Sequence, residues 1–255
     1  MRASWGANGQ RLRGPAVRGL HELTLGKLTL GKLSLPAHVC VSLALLASAS
    51  CQAPRAQNVA TAPPVALASV PERELRAPDA FAVYAEGAER SRALFTEASR
   101  VLLHPRCVNC HPSGDVPLQH QGSLHDPPVL RGPEDRGVVG MECSSCHQDR
   151  NLELAPVPGA PNWHLAPRSM AWAGRDASAL CEQLKDPARN GGKSLPQIVE
   201  HSEHDTLVAW GWAPGALREP APGSQAQFGA LVAAWADSGA ECPAPGSVAT
   251  KTESP

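Results

Sequence analysis

Aromatic residues are scarce in this chain. Phenylalanine occurs three times and tyrosine once, which excludes a core built on stacked Phe and Tyr; the other aromatics are six tryptophans. A strong charge of either sign is also missing. The formal net charge is −1, which leaves no electrostatic footprint for nucleic acid. No convincing stretch alternates polar and apolar residues as a half-buried strand does, so helices and loops are expected. The longest nearly apolar run, Leu33 to Ala49, is short for a membrane span and is interrupted by Pro36 and His38.

Proline and glycine are abundant, at 25 and 22 residues, a share that implies long loops and few long elements. The apolar run follows Lys27, Lys32 and several arginines, the order of a secretory signal. It ends in Ala47-Ser48-Ala49-Ser50-Cys51-Gln52, small residues leading into a cysteine as in a bacterial lipobox. Cys51 would then be diacylated and hold the protein at a membrane face. Gln52 after it, where Asp would signal retention at the inner membrane, points to the outer membrane of a Gram-negative cell. Ordinary cleavage after a small residue and an uncleaved anchor are the alternatives. Residues 1–50 are thus read as a signal region, with Leu23 to Lys27 repeated at Leu28 to Lys32 and an over-extended start as one explanation. Residues 51–78, rich in Ala and Pro, read as a linker. Residues 79–243 form one folded domain, and 244–255 a frayed tail.

Within the domain the pattern predicts helices and loops. Ala80 to Leu103 carries Leu94, Phe95, Ala98, Val101 and Leu102 near a 3.6-residue repeat. Further helices are expected at Ala177 to Lys185, stopped by Asp186-Pro187, at Ser194 to His201, and after Ser224 with Phe228, Leu231, Val232 and Trp235 on one face. Pro112 to Gly140 is almost all turn residues.

The most specific feature is a pentapeptide present twice: Cys107-Val108-Asn109-Cys110-His111 and Cys143-Ser144-Ser145-Cys146-His147. C-x-x-C-H is the attachment signature of c-type haem, in which the two thiols form thioethers and the histidine becomes the proximal iron ligand. One copy arises by chance about once in a hundred chains of this cysteine content, so two copies are not accidental. Two covalent haems are therefore expected, on Cys107, Cys110, Cys143 and Cys146, with His111 and His147 on iron. Taken as cysteines alone, the C-x2-C-x32-C-x2-C pattern also suits a four-thiolate zinc site. Dithiol redox pairs are a third possibility, although no βαβ pattern surrounds either motif. The expected fold is mainly α with long loops, a cytochrome c-like domain wrapped around two covalent haems. Trp163, Trp172, Trp210, Trp212 and Trp235 are candidates to wall them.

The sixth iron ligands are open at this level. His104, His120, His125, His164, His201, His204, Met141 and Met170 are the available donors. His164, beside Trp163 in a Pro-rich segment, and His201, on an expected helix, are favoured. Met170 and His125 follow, His125 as a residue able to fold back over the first haem. His104 lies too near Cys107 to reach the far face of the same haem, which leaves the other haem within its reach. Arg189 and Lys185 are candidates to neutralise haem propionates. Cys181 and Cys242 are left over, and in an oxidising compartment they are expected to pair as a disulfide. Cys40 falls in the signal region.

Several segments carry a family resemblance: His104 to Leu118, Cys143 to Asn151, Ala160-Pro161-Asn162-Trp163-His164-Leu165-Ala166-Pro167, Leu180 to Gly192, and Leu207-Val208-Ala209-Trp210-Gly211-Trp212-Ala213-Pro214-Gly215. They resemble bacterial proteins described as isoquinoline 1-oxidoreductase subunits, over roughly Leu102 to Pro243. The resemblance implies a cytochrome partner for a molybdenum hydroxylase acting on an aromatic N-heterocycle. Nothing in the chain resembles a molybdopterin or iron–sulfur site, so the implied role is the electron-accepting subunit. Three functions stand at this level. The first is an exported, periplasmic electron relay from a dehydrogenase donor to a respiratory acceptor. The second is a haem enzyme such as a peroxidase, with Glu142, His120 or Glu200 as acid–base group. The third is a zinc-stapled lipoprotein without redox chemistry.

Overall fold

The computed structural model describes residues 67–246; Cys51 and the signal region lie outside them. The chain is mainly helical, as expected. Helix α1, Ala88–Leu102, begins at Gly87, whose φ of 103° is unfavourable for any side chain. That break is why the expected helix from Ala80 is instead a short 3₁₀ turn, Pro78–Val83, followed by α1. The stripe read from the sequence is buried as a unit: Leu94, Phe95, Ala98, Val101 and Leu102 all face the core.

Helix α6, Gln225–Asp237, is capped by the Ser224 hydroxyl, which accepts from the Gln227 amide at 3.2 Å. Its apolar face of Phe228, Leu231, Val232 and Trp235 packs against both α1 and α4, Leu195–His204. Phe95 and Trp235 meet at 4.9 Å between ring centres. Gly229 permits the α4–α6 approach, because a Cβ there would lie 3.1 Å from Glu203 Cα. Helix α3, Ala177–Lys185, starts at Asp176, whose carboxylate accepts from the Ala179 amide at 2.8 Å. A Cys181–Cys242 disulfide ties α3 to the chain beyond α6, across a separation of 61 residues.

Packing extends past both expected domain limits. Leu75 is buried and Arg76 pairs with the buried Glu97 at 2.6 Å, so the end of the expected linker belongs to the folded body. At the other end the Gly246 amide donates to Asp176 at 3.0 Å.

Two short helices complete the set: α2, Pro105–Val108, and α5, Thr206–Ala209. Pro112 to Gly140, expected to be almost all turns, contains one minimal antiparallel ladder and the first strand of a second, which ends at Glu142. Strands β1, Leu118–Gln119, and β2, Ser123–Leu124, pair Leu118 with Leu124; β3, Gly137–Val138, and β4, Met141–Glu142, pair Val138 with Met141. A two-residue strand is too short to display a period of two, which is why the pattern missed them. Arg131, buried in this segment, donates to Asp135 at 2.6 Å and to the Ala166 carbonyl, anchoring the loop to the strip that carries Trp163 and Met170.

Candidate functional site

The first C-x-x-C-H motif begins on α2. His104 caps that helix by accepting the Arg106 amide on Nδ1 at 3.2 Å. Cys110 then donates its amide to the Cys107 carbonyl at 3.1 Å, and His111 to Val108 at 3.0 Å. These successive turns put positions i, i+3 and i+4 on one face, so Cys107, Cys110 and His111 point the same way. All three line one cavity of about 370 Å³. The His111 ring is fixed from two sides. Its Nδ1 lies 2.8 Å from the Met170 carbonyl, and Trp172 stacks on it at 3.4 Å with planes 10° apart. Trp172 also donates its amide to the His111 carbonyl at 2.9 Å.

The second motif repeats the arrangement on a 3₁₀ turn, Cys143–Ser145. Amides of Cys146 and His147 both donate to the Cys143 carbonyl, at 3.3 and 2.9 Å. His147 Nδ1 lies 2.8 Å from the Pro158 carbonyl, and Trp163 stacks on the ring at 4.7 Å with planes 12° apart. The Pro158 loop can approach this closely because Gly159 follows it; a Cβ there would sit 2.2 Å from the Arg150 carbonyl oxygen. Asn151 holds the loop and the neighbouring tryptophan together. Its Oδ1 accepts from the Gly159 amide at 3.0 Å and from Trp210 Nε1 at 2.9 Å. Trp210 in turn meets Trp163 edge to face at 5.0 Å and lines the cavity of the first motif.

The two sites differ in depth. Burial, together with the neighbouring Cys110 thiol, pushes the Cys107 thiol up to about 12; burial pushes Cys110 up to about 11 against the pull of Arg106. Burial takes His111 down to about 3. Cys146, by contrast, is exposed, and burial lowers His147 without removing it from solvent. A carbonyl only accepts, so the proton of His111 and of His147 sits on Nδ1 and leaves the Nε2 lone pair free. A neutral imidazole with that tautomer is the form a metal requires. The Cys143 thiol bears electrostatically on Cys110, so the two motifs are neighbours.

Three of the four preferred distal candidates converge on the first site. His164, Met170 and His201 line its cavity with Cys107, Cys110 and His111. His125 does not fold over this motif; its ring lies 5.9 Å from that of His147. Arg189 is engaged with Asp186 at 2.6 Å, Lys185 is exposed, and neither lines the cavity; the cations that do are Arg106 and Lys193. Trp172, Trp163 and Trp210 stand by the histidines, whereas Trp212 packs on Phe228 and Trp235 on Phe95. Glu142, His120 and Glu200 are exposed and outside the cavity. None of the four motif cysteines is in a disulfide. Their sulfurs do not gather as a zinc site would: among the described residues the one group of three metal-ligating side chains in reach of each other is Glu200, Glu203 and His204, of which Glu200 and His204 are exposed. Sequence reasoning missed Asn151 and Asp205, since a single Asn or Asp in a loop carries no signal of its own.

Comparison of the chain with protein-family models, with curated proteins and with solved structures finds no match.

Proposed function

We propose that this protein is an exported dihaem c-type cytochrome that passes electrons from a dehydrogenase or hydroxylase to a respiratory acceptor. The observation that carries the reading is the repetition at both C-x-x-C-H turns of the same support: Nδ1 on a backbone carbonyl and a tryptophan flat on the imidazole. Chance recurrence of the pentapeptide would not reproduce its surroundings. The pocket chemistry fits the group as well. Arg106 Nε and Trp172 Nε1 are buried donors without an acceptor, and both residues line the cavity, where two propionate carboxylates would satisfy them.

Haem supplies the one-electron iron chemistry. The chain's own residues hold and tune it. Cys107 and Cys110 carry the first group, Cys143 and Cys146 the second, and His111 and His147 present Nε2 to iron from rings that cannot rotate. Rings fixed in this way need little rearrangement between oxidation states. Lipidation at Cys51 would tether the protein at the outer membrane, and the family resemblance makes a molybdenum-type hydroxylase the donor class.

The test is an optical spectrum with pyridine haemochrome quantification, on protein made with c-haem maturation. Two covalent haems per chain, low-spin in both states and indifferent to carbon monoxide, are expected. A colourless protein would sink the reading.

One observation favours a second reading. His201 in the cavity is hydrogen-bonded to Asp205 at 3.1 Å, and such a pair on an open iron could serve as acid–base group for a peroxide substrate. Wild-type protein that binds carbon monoxide and turns over peroxide would establish that alternative.

A further inference from the structure

Resting on the dihaem reading, we propose the axial pairing of the two irons: His201 faces His111 across the first haem, and His125 faces His147 across the second. Six histidines of the described residues lie outside the two motifs, and their geometry separates them. His104 spends Nδ1 on the cap of α2, which leaves its proton on Nε2. His120 is exposed at a left-handed position, φ 52°. His204 sits in solvent between Glu200 and Glu203. Three remain, His125, His164 and His201, each with Nδ1 held by an acceptor: the Pro127 carbonyl at 2.8 Å, the Asn162 carbonyl at 2.5 Å and Asp205 at 3.1 Å. Each therefore offers Nε2.

Two observations choose among the three. Metal–imidazole bonds run about 2.0 Å, so two rings trans across a metal stand about 6 Å apart between centres. The His125 and His147 rings stand 5.9 Å apart. In the first site His201 shares the cavity with His111. His201 is also carried by the regular helix α4, and its carboxylate partner is itself locked, because the other oxygen of Asp205 caps α5 by accepting from Leu207 at 2.8 Å. His164 stands on a loop that turns at Asn162, φ 62°. Met170 presents its carbonyl to Nδ1 of His111, which is the back of the proximal ligand and the wrong side of the haem for its sulfur.

The experiment compares wild type with His125→Ala, His201→Ala and His164→Ala, reading haem content, ferrous spin state and carbon monoxide bound per chain. Wild type and His164→Ala bind none, His125→Ala and His201→Ala bind one each, and the double variant His125→Ala/His201→Ala binds two. Carbon monoxide binding in His164→Ala, or none in His125→Ala or His201→Ala, overturns the pairing while leaving two haems per chain. A wild type without haem removes the dihaem reading itself and the pairing with it. Should an alanine variant fail to fold, His→Met at the same position decides: the red methionine–iron absorption band and a raised potential for one haem support the pairing, and an unchanged spectrum overturns it.

Discussion

Trp172 lies flat on His111, with ring centres 3.4 Å apart and planes 10° from parallel, and its amide closes a hydrogen bond to the same residue. One side chain thus serves the core and the site. Trp172→Ala removes a large buried ring and frees the His111 imidazole, so it should lower stability by about 3 kcal/mol. Urea denaturation checks the loss, and in protein carrying the two proposed haems the spectrum should broaden for the first haem only.

Depth predicts reactivity. In the chain made without haem attachment, Cys146 is exposed while burial and Cys110 push the Cys107 thiol up to about 12. The thiolate is the reactive form, so at pH 8 only about one Cys107 in ten thousand is competent. Iodoacetamide should label Cys146 first and Cys107 last. Labelling of Cys107 in the folded chain should gain about tenfold per pH unit until the pH nears its raised value. Equal labelling rates by mass mapping would show that the first site is open.

Glu97 is buried and takes two guanidinium groups, Arg76 and Arg100, each at 2.6 Å. It joins the segment before Pro78 to α1. Glu97→Gln keeps the shape and removes the charge, leaving two partly buried arginines without a counterion. The expected cost is about 2 kcal/mol, measured by denaturant midpoint. Proteolysis near Arg76 should become faster in the same variant.

What the sequence made legible, and what it did not, follows from the range of each interaction. The α1 and α6 stripes were readable because Leu94 to Leu102 and Phe228 to Trp235 repeat at helical spacing over several turns. The motif residues were readable because i, i+3, i+4 chemistry is local. Cys181–Cys242 was readable by elimination, being the two cysteines of the folded domain left outside the C-x-x-C-H motifs. The ladders at Leu118–Leu124 and Val138–Met141 were not, being shorter than one period of any pattern. Nor were the destination of His125 or the choice of Arg106 and Lys193 over Arg189 and Lys185. The place of His125 and the hold on Arg106 depend on how the loop of residues 112–140 folds back, and that of Lys193 on the Asn190 turn; none of these is encoded within a few positions of the residue.

The Cys181–Cys242 bond closes a loop of 61 residues that contains α4, α5 and α6. Cross-linking a loop of this length removes denatured-state entropy worth about 4 kcal/mol. The double variant Cys181→Ala/Cys242→Ala should lose most of that and release α3 from the end of α6. Comparison of denaturant midpoints under non-reducing conditions tests it; a loss under about 1 kcal/mol would mean that packing of α3 on α1 suffices alone.

On the proposed dihaem reading, Asp205 links the fold to the first iron site. One carboxylate oxygen accepts from the Leu207 and Val208 amides at 2.8 and 3.1 Å, and the other takes His201 Nδ1 at 3.1 Å. That hydrogen bond, more than any other contact, holds the Asp205 carboxyl down at about 2, so it is charged at any working pH. A charged acceptor on Nδ1 strengthens imidazole as a donor at Nε2, and loss of such a partner weakens ligation by about 10–100-fold. Asn is as good a helix cap as Asp, so Asp205→Asn separates the two roles. The fold and the haem count should be unchanged, the potential of one haem should rise, and cyanide or imidazole should displace the distal ligand at about tenfold lower concentration. A variant whose potentials and displacement curves match wild type would mean that Asp205 only caps α5.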